Sequence, residues 1–458
     1  MLAIKNKVEL IENGGTQLNR RARKLALESL EAALNAADPK QMIKFHVVLD
    51  DSMLKVGDHS FNLERFGSVY VVGGGKASGS MAEALETILG ERITDGLVNV
   101  PHGTKNKTRR IKLHGASHPF PDEAGIKGTR TMLNIVEQAE RNDLIICLVS
   151  GGGSSLMPLP RGRISLADKK EITEALLKSG ATINEVNTVR KHISDFKGGW
   201  LAKKAYPATV LNLILSDVVG DPLDFIASGP TVPDSTTFND AMGVLKRYGL
   251  WASAPASIKK VLSDGERGII AETPKADDEA FKKVYNVVVG NNRSSSLAAC
   301  AQLRSAGLNR LLLTATLEGE ARQVGIVLAS IAREVSVSGN PVKKPAAIVA
   351  GGETTVTVTG KGLGGRNQEL ALAAALKLKE LRGAVLASLS TDGLDGPTDA
   401  AGAIVDGETL MRANKMGLAP GEFLAENNSY RFFSALGDLI CTGPTGTNVN
   451  DLSIIVVL

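Results

Sequence analysis

Two glycine turns carry a cation where a helix is expected to begin. The first reads Val71-Val72-Gly73-Gly74-Gly75-Lys76-Ala77-Ser78, the second Gly362-Leu363-Gly364-Gly365-Arg366-Asn367-Gln368-Glu369. The amino end of a helix favours anions, by roughly 0.3–1 kcal/mol per charge. A cation at that end is favourable when an anion sits between it and the backbone N–H groups. Glycine lets the backbone approach that anion closely. Either turn alone is equally explained by a side chain that swings into water. The pair points to a phosphate or carboxylate site at Lys76 and Arg366, with Gly74 and Gly75 beside it.

Further turns of the same chemistry follow apolar runs. They are Ser150-Gly151-Gly152-Gly153-Ser154-Ser155, Ser216-Asp217, Gly290-Asn291-Asn292-Arg293, Gly351-Gly352-Glu353-Thr354 and Thr391-Asp392-Gly393. In open α/β sheets ligands bind beyond the carboxyl ends of the strands, so these turns are candidates to meet at one edge. Gly152, Gly153, Ser154 and Ser155 offer N–H and hydroxyl donors, and Glu353 and Asn291 are weaker candidates. Asp217 and Asp392 each follow a strongly apolar run. A carboxylate among anions makes sense beside a divalent cation, or as a base. Phosphoryl transfer uses both roles. The competing explanation is a cap or turn, which fits Asp221 and Asp395 better.

The common nucleotide motifs fail. A Walker A loop ends Gly-Lys-Ser/Thr, but Lys76 is followed by Ala77 and the first-glycine position is Tyr70. A dinucleotide fingerprint needs a third glycine where Ser78 stands, and a carboxylate at the end of the next strand, which instead runs into Pro101-His102. The serine turn is not a nucleophile elbow, since Ser155 precedes Leu156-Met157.

The elements that position these residues repeat as strand, small-residue turn and helix. Apolar runs lie at 68–72, 97–100, 143–149, 208–215, 285–289, 310–314, 346–350, 384–389 and 452–458, with helical patterns at 78–89, 124–141, 167–178 and 367–379. Short apolar strands alternating with helices define an α/β fold with a largely parallel, doubly covered sheet. The stretch 353–360 alternates Thr and Val and reads as a partly exposed strand, so the second sheet is expected to be mixed. The polar, turn-rich stretch before Tyr285 suggests a larger Rossmann-like domain over 1–280 and a smaller one over 281–458. The initial helix can pack on either.

With 458 residues the chain has material for about two to four domains. A net charge of +4 and only 4% aromatic residues argue against a nucleic-acid surface, and the basic run 105–112 reads as a solvated face. Cys147, Cys300 and Cys441 lie far apart in sequence, as expected of free thiols in a reducing compartment. The scattered histidines form no metal motif. No apolar stretch nears the ~20 residues that cross a bilayer, so a cytoplasmic location is expected.

Together these residues resemble the class II glycerate kinases, the MOFRL family of glycerate 2-kinases, from about residue 20 to the end. The resemblance rests on the stretches 72–81, 148–156, 187–191, 213–222, 227–231, 351–356, 364–370, 391–393, 396–402 and 443–449. It implies two α/β domains with the site in a cleft between them. It also implies ATP-dependent phosphorylation of D-glycerate on its 2-hydroxyl, with Mg2+ or another divalent cation. Lys76, Asp217, Arg366 and Asp392 match the family's catalytic and phosphate-handling positions. Lys76 and Arg366 would neutralise the phosphoryl group and the substrate carboxylate. One aspartate would take the hydroxyl proton while the other helps hold the cation, and Asn291 would contact the nucleotide. The expected partners are small molecules, without nucleic acid or membrane, and a homodimer is compatible with the reading. Alternatives are a nicotinamide-dependent reductase of hydroxypyruvate or tartronate semialdehyde, a kinase for another hydroxy acid, and a non-catalytic sensor of a phosphorylated acid.

Overall fold

In the computed structural model, which describes residues 2–458, the apolar runs become strands, mostly buried except for those at 285–289 and 310–314. The chain forms two units, residues 39–289, and residues 2–38 with 290–458. The first begins with an antiparallel meander of β1 (Val47–Asp50), β2 (Met53–Val56) and β3 (His59–Asn62). At four residues each, these strands are too short for their alternation to show in the sequence.

The main sheet of this unit comprises β4 (Val69–Gly74), β5 (Asp95–Pro101), β6 (Ile111–Ala116), β7 (Leu144–Ser150), β8 (Thr209–Leu215) and β9 (Val284–Gly290). Their order is β6-β5-β4-β7-β8-β9, and the β4–β5, β5–β6, β4–β7 and β7–β8 pairs are parallel. The order reverses between β4 and β7. Their carboxyl ends therefore flank the switch point at which such sheets take ligands. β7 is buried along its whole length, as expected of a central strand covered on both faces. β9 was expected to open a second domain. It is the edge strand of this sheet instead, with Val284 and Val288 packed on the core of the first unit.

The second unit holds β10 (Asn309–Leu317), β11 (Ala346–Gly352), β12 (Ala384–Ser390), β13 (Gly402–Asp406), β14 (Leu439–Ile440) and β15 (Asp451–Val457) in the order β10-β11-β15-β12-β13-β14. The sheet is mixed. β10 and β11 are parallel, and β15 runs antiparallel between β11 and β12. The mixing does not come from 353–360, which is irregular apart from a bridge between Thr355 and Glu320. Side chains take the backbone donors that a ladder would have used. The Thr357 N–H donates to the Glu320 carboxylate at 3.1 Å, and those of Thr359 and Gly360 to Asn427 Oδ1 at 2.8 and 2.9 Å.

Helix Gln17–Ala36 belongs to the second unit. Its Leu27, Leu30 and Leu34 share a core with Val349, Val385 and Ile454. The fully buried Arg23 donates to Asp406 at 2.6 Å and to Asp438 at 2.8 Å, which compensates a charge that burial alone would make very costly. Among the described residues no helix is long and apolar enough to cross a membrane, and all three cysteines are free thiols.

Candidate active site

At the switch point of the first unit, β4 ends in Gly73 and Gly74 and is followed by Gly75, and β7 leaves no room for a side chain at Gly73 or Gly75. A Cβ on Gly73 would meet the Leu148 carbonyl oxygen at 2.2 Å, and one on Gly75 would meet Ser150 Oγ at 2.1 Å. The chain passes over the end of β7 and into helix Ser78–Leu89, carrying Lys76 exposed on the turn. The N–H groups of this turn do not await a ligand. Lys76 N–H donates to the Gly151 carbonyl at 2.8 Å and Ala77 N–H to Ser150 Oγ at 3.0 Å.

The turn after β7 is different. Gly152 has φ +80°, a left-handed conformation that favours glycine. The N–H groups of Gly152, Gly153 and Ser154 have no protein acceptor among the described residues. Two charged side chains lie against this turn. A Cβ on Gly151 would fall 1.8 Å from Asp217 Oδ2, and one on Gly152 would fall 3.1 Å from Lys76 Cγ and 2.9 Å from His118 Nε2. Asp217 and Lys76 therefore flank two successive glycines, although 141 residues separate them in sequence (217 − 76). Desolvation and the Lys76 charge hold the His118 imidazole below its ordinary pKa. On the other side of the turn, Ser154 Oγ and Ser228 Oγ are 2.8 Å apart, and Ser228 Oγ donates to Asn187 Oδ1 at 3.2 Å. Ser228 and Ala227 sit at φ +59° and +52°, local strain of the kind that concentrates at functional sites.

In the second unit Arg366 is the hub. Its Nε and Nη2 donate to the two oxygens of Asp451 at 2.5 and 2.9 Å, and its Nη1 donates to Glu353 Oε1 at 2.6 Å. Asn450 Nδ2 donates to Glu353 Oε2 at 2.9 Å. Against the downward push of burial, Asp451 and Glu353 hold the guanidinium above its ordinary pKa. Burial pushes the Asp451 carboxyl up to about 7, with Arg366 pulling the other way. The helix Arg366–Leu378 already has an anion at its amino end. Asp395 accepts from Asn367 N–H at 3.1 Å and Gln368 N–H at 2.9 Å. Asp392 Oδ1 accepts from Ser390 Oγ at 2.9 Å and Leu394 N–H at 3.0 Å, while its Oδ2 has no partner among the described residues. Asn291 caps helix Asn292–Ser305, accepting from Ser294 N–H at 2.9 Å.

The geometry corrects the first expectation drawn from the glycine turns. The N–H groups of Lys76 and Ala77 are spent on Gly151 and Ser150, and those of Asn367 and Gln368 on Asp395. The open donors belong to the triple-glycine turn after β7, and Lys76 and Arg366 bring charge through their side chains. Sequence reasoning missed His118, Asn187, Ser228, Asn450 and Asp451. Asp451 had a signal: a carboxylate directly before an apolar strand. Because β15 is antiparallel, that amino end pairs with the carboxyl ends of its neighbours, Asp451 opposite Gly352 and Ser390. As for a metal, no group of three His, Cys, Asp or Glu side chains is gathered to hold one among the described residues. Magnesium in phosphate chemistry is commonly held by one or two carboxylates together with the phosphates. Single hard-oxygen donors such as Asp217 and Asp392 fit that use.

A doubly wound sheet with a turn of open N–H donors, a lysine and a carboxylate at its switch point defines an α/β enzyme that handles a small anionic substrate. Residues 25–263 match a family described as a domain of unknown function (DUF4147), and residues 346–451 match the MOFRL family. A Pyrococcus horikoshii protein named glycerate 2-kinase is 44% identical, over 95% of this chain and 97% of its own. A solved structure of a glycerate kinase from Thermotoga maritima superposes with a TM-score of 0.86 at 42% identity, covering 95% of this chain and 99% of that one. An Agrobacterium vitis protein named putative hydroxypyruvate reductase is 41% identical, over 98% of this chain and 99% of its own. The chain belongs to the glycerate 2-kinase (MOFRL) family.

Proposed function

We infer that this chain is a glycerate 2-kinase, which moves the γ-phosphoryl group of ATP to the 2-hydroxyl of D-glycerate to give 2-phospho-D-glycerate. The observation that carries the reading is the Lys76 stem and the carboxylate of Asp217 set against adjacent glycines, beside three N–H groups without protein acceptors among the described residues. Phosphoryl transfer asks for that combination: fixed donors and a cation for the charge on the transferring group, and a base to orient the attacking hydroxyl. The acceptor is taken from the names of the relatives.

Asp217 takes the proton of the 2-hydroxyl. Lys76 and the N–H groups of 152–154 hold phosphoryl oxygens, and Ser154 and Ser155, whose hydroxyl protons go to Ser228 Oγ and the Gly152 carbonyl, offer hydroxyl oxygens that accept from the substrate. Arg366, fixed by Asp451 and Glu353, still has N–H donors to offer a phosphoryl oxygen. Asp392, with one oxygen unspent, is the carboxylate that would help hold a divalent cation. That cation, bound with ATP, spreads the phosphate charge. Asn291 orders the turn after β9 as a cap, and nucleotide contact is assigned to that turn.

Phosphorus NMR of a reaction with ATP and D-glycerate tests the reading, with a new phosphomonoester coupled to the proton on carbon 2 as the expected result. Oxidation of NADH with hydroxypyruvate, in the absence of such a product, would overturn it in favour of the reductase.

A further inference from the structure

We infer that Arg190, Lys197 and Lys169 seat the carboxylate of the acceptor acid, and so make this enzyme select an acid over a neutral polyol. This rests on the kinase reading above and assigns residues that it leaves without a role. A cavity of about 350 Å³ in the first unit is lined by these three cations together with Gly152, Ser154 and Ser155. Lys197 is 1% exposed, and its Nζ has no hydrogen-bond partner among the described residues. A buried ammonium without an acceptor is costly, and a site built to receive an anion tolerates that cost. Arg190 has no carboxylate partner among the described residues, and the Lys169 ammonium reaches only the Ile193 carbonyl, at 3.3 Å.

The nearby charges do not cancel this excess. Asp195 faces Lys169 but also pairs with Arg161 at 3.5 Å, and Glu174 at the cavity edge is half-exposed beside Lys178 at 3.8 Å. Lys170 adds positive charge, and His118 lines the same wall. Arg190 lies in the last turn of helix Ile183–His192, where a cation gains from the helix dipole, but Lys197 lies in no helix and has no such reason to be there. Burial, with Arg190 adding to it, pushes the Lys169 ammonium down to about 7, and burial pushes Lys197 well down. An arriving carboxylate therefore draws a proton into the pocket. Gly152 is the shared wall: it lines the cavity and touches the Lys76 stem. In a 2-hydroxy acid the carboxylate and the reacting hydroxyl sit on neighbouring carbons. An acid held by the three cations presents that hydroxyl toward Gly151 and Gly152, where Asp217 and Lys76 lie.

The experiment compares wild type, R190Q and K197M with D-glycerate and with its neutral amide, glyceramide, as acceptors. Binding of D-glycerate alone is titrated calorimetrically in two buffers of different ionisation enthalpy. The expected result is that wild type prefers the acid and takes up protons on binding it. In R190Q the KM for D-glycerate rises at least tenfold, the KM for ATP stays within twofold, and the acid-to-amide preference falls at least tenfold. An unchanged preference in folded R190Q overturns the assignment. If K197M does not fold, R190Q, whose arginine is only half-buried, carries the test. If wild type does not phosphorylate D-glycerate, the kinase reading fails separately. Binding of D-glycerate with proton uptake, abolished in R190Q, still supports the seat, and binding indifferent to R190Q, or no binding at all, overturns it.

Discussion

Replacing Gly151 by alanine moves one catalytic group and little else. The new Cβ would lie 1.8 Å from Asp217 Oδ2, 2.4 Å from Cγ and 3.0 Å from Oδ1, with no other atom among its three nearest neighbours. Ordinary contact begins at 3.4 Å, so Oδ2 must retreat by 3.4 − 1.8 = 1.6 Å. The three atoms met all belong to a half-buried side chain and none to the backbone. A misplacement of about 1 Å in a reacting group costs on the order of 100-fold in rate. The expected outcome for G151A is a kcat about 100-fold lower in ATP-dependent phosphorylation of D-glycerate, at saturation in both substrates, and an unfolding midpoint in urea close to that of wild type. The matched control is G243A. Gly243 is exposed within helix Phe238–Arg247, and an added Cβ there meets nothing within 4 Å. Alanine at that position should leave kcat unchanged and stabilise the fold by about 0.5–1 kcal/mol. A folded G151A enzyme with kcat within twofold of wild type would refute the placement of Asp217 as the base.

Three more outcomes are expected. K76A should lose at least 100-fold in kcat with its melting temperature unchanged, because Lys76 is exposed and its backbone bond to Gly151 survives; normal turnover would remove it from the mechanism. R366K should lose the paired bonds to Asp451 and the bond to Glu353, since an ammonium cannot reproduce the guanidinium fork. Turnover should fall at least tenfold and stability by about 1.5–3 kcal/mol, read from kinetics and urea unfolding. Asp122 caps helix Glu123–Glu137; against the upward push of burial, the Gly125 N–H and His102 draw its carboxyl down to about 2. Its contribution, at most about 2 kcal/mol, is complete above the unfolded value near 3.8 and is lost as pH falls through about 2. D122N should therefore destabilise at pH 6 and much less at pH 2. A pH-independent difference in urea midpoint would contradict that sign.

The parts of this fold that were legible in the sequence share one property, burial on both faces. β7, β11, β12 and β15 are buried along their whole lengths, and their runs of Val, Ile and Leu reveal them without any partner in view. The helix at Ser78–Leu89 was legible from its glycine start and its apolar spacing. What failed was whatever depended on a distant partner. The 353–360 stretch has strand composition, yet Glu320 and Asn427 take its N–H groups, and nothing local announces them. The 284–290 strand looks the same whichever sheet it joins. Of the residues proposed for the site, Lys76, Asp217 and Asp392 stand out because each follows an apolar run, and Arg366 because it follows a glycine turn at a helix start. Asp451 does not, because it precedes its strand and only the antiparallel direction of β15 brings it to Arg366. The basic cavity was hidden for a similar reason: Lys169, Arg190 and Lys197 come from two helices and a loop.

The central claim is transfer to the 2-hydroxyl of D-glycerate. The most direct measurement couples the purified protein, ATP, magnesium and D-glycerate to enolase and pyruvate kinase, with no phosphoglycerate mutase present. Enolase accepts the 2-phosphorylated acid, so the account predicts immediate pyruvate formation that is unchanged when mutase is added. Pyruvate only after mutase is added would mean transfer to the 3-hydroxyl, and would contradict it.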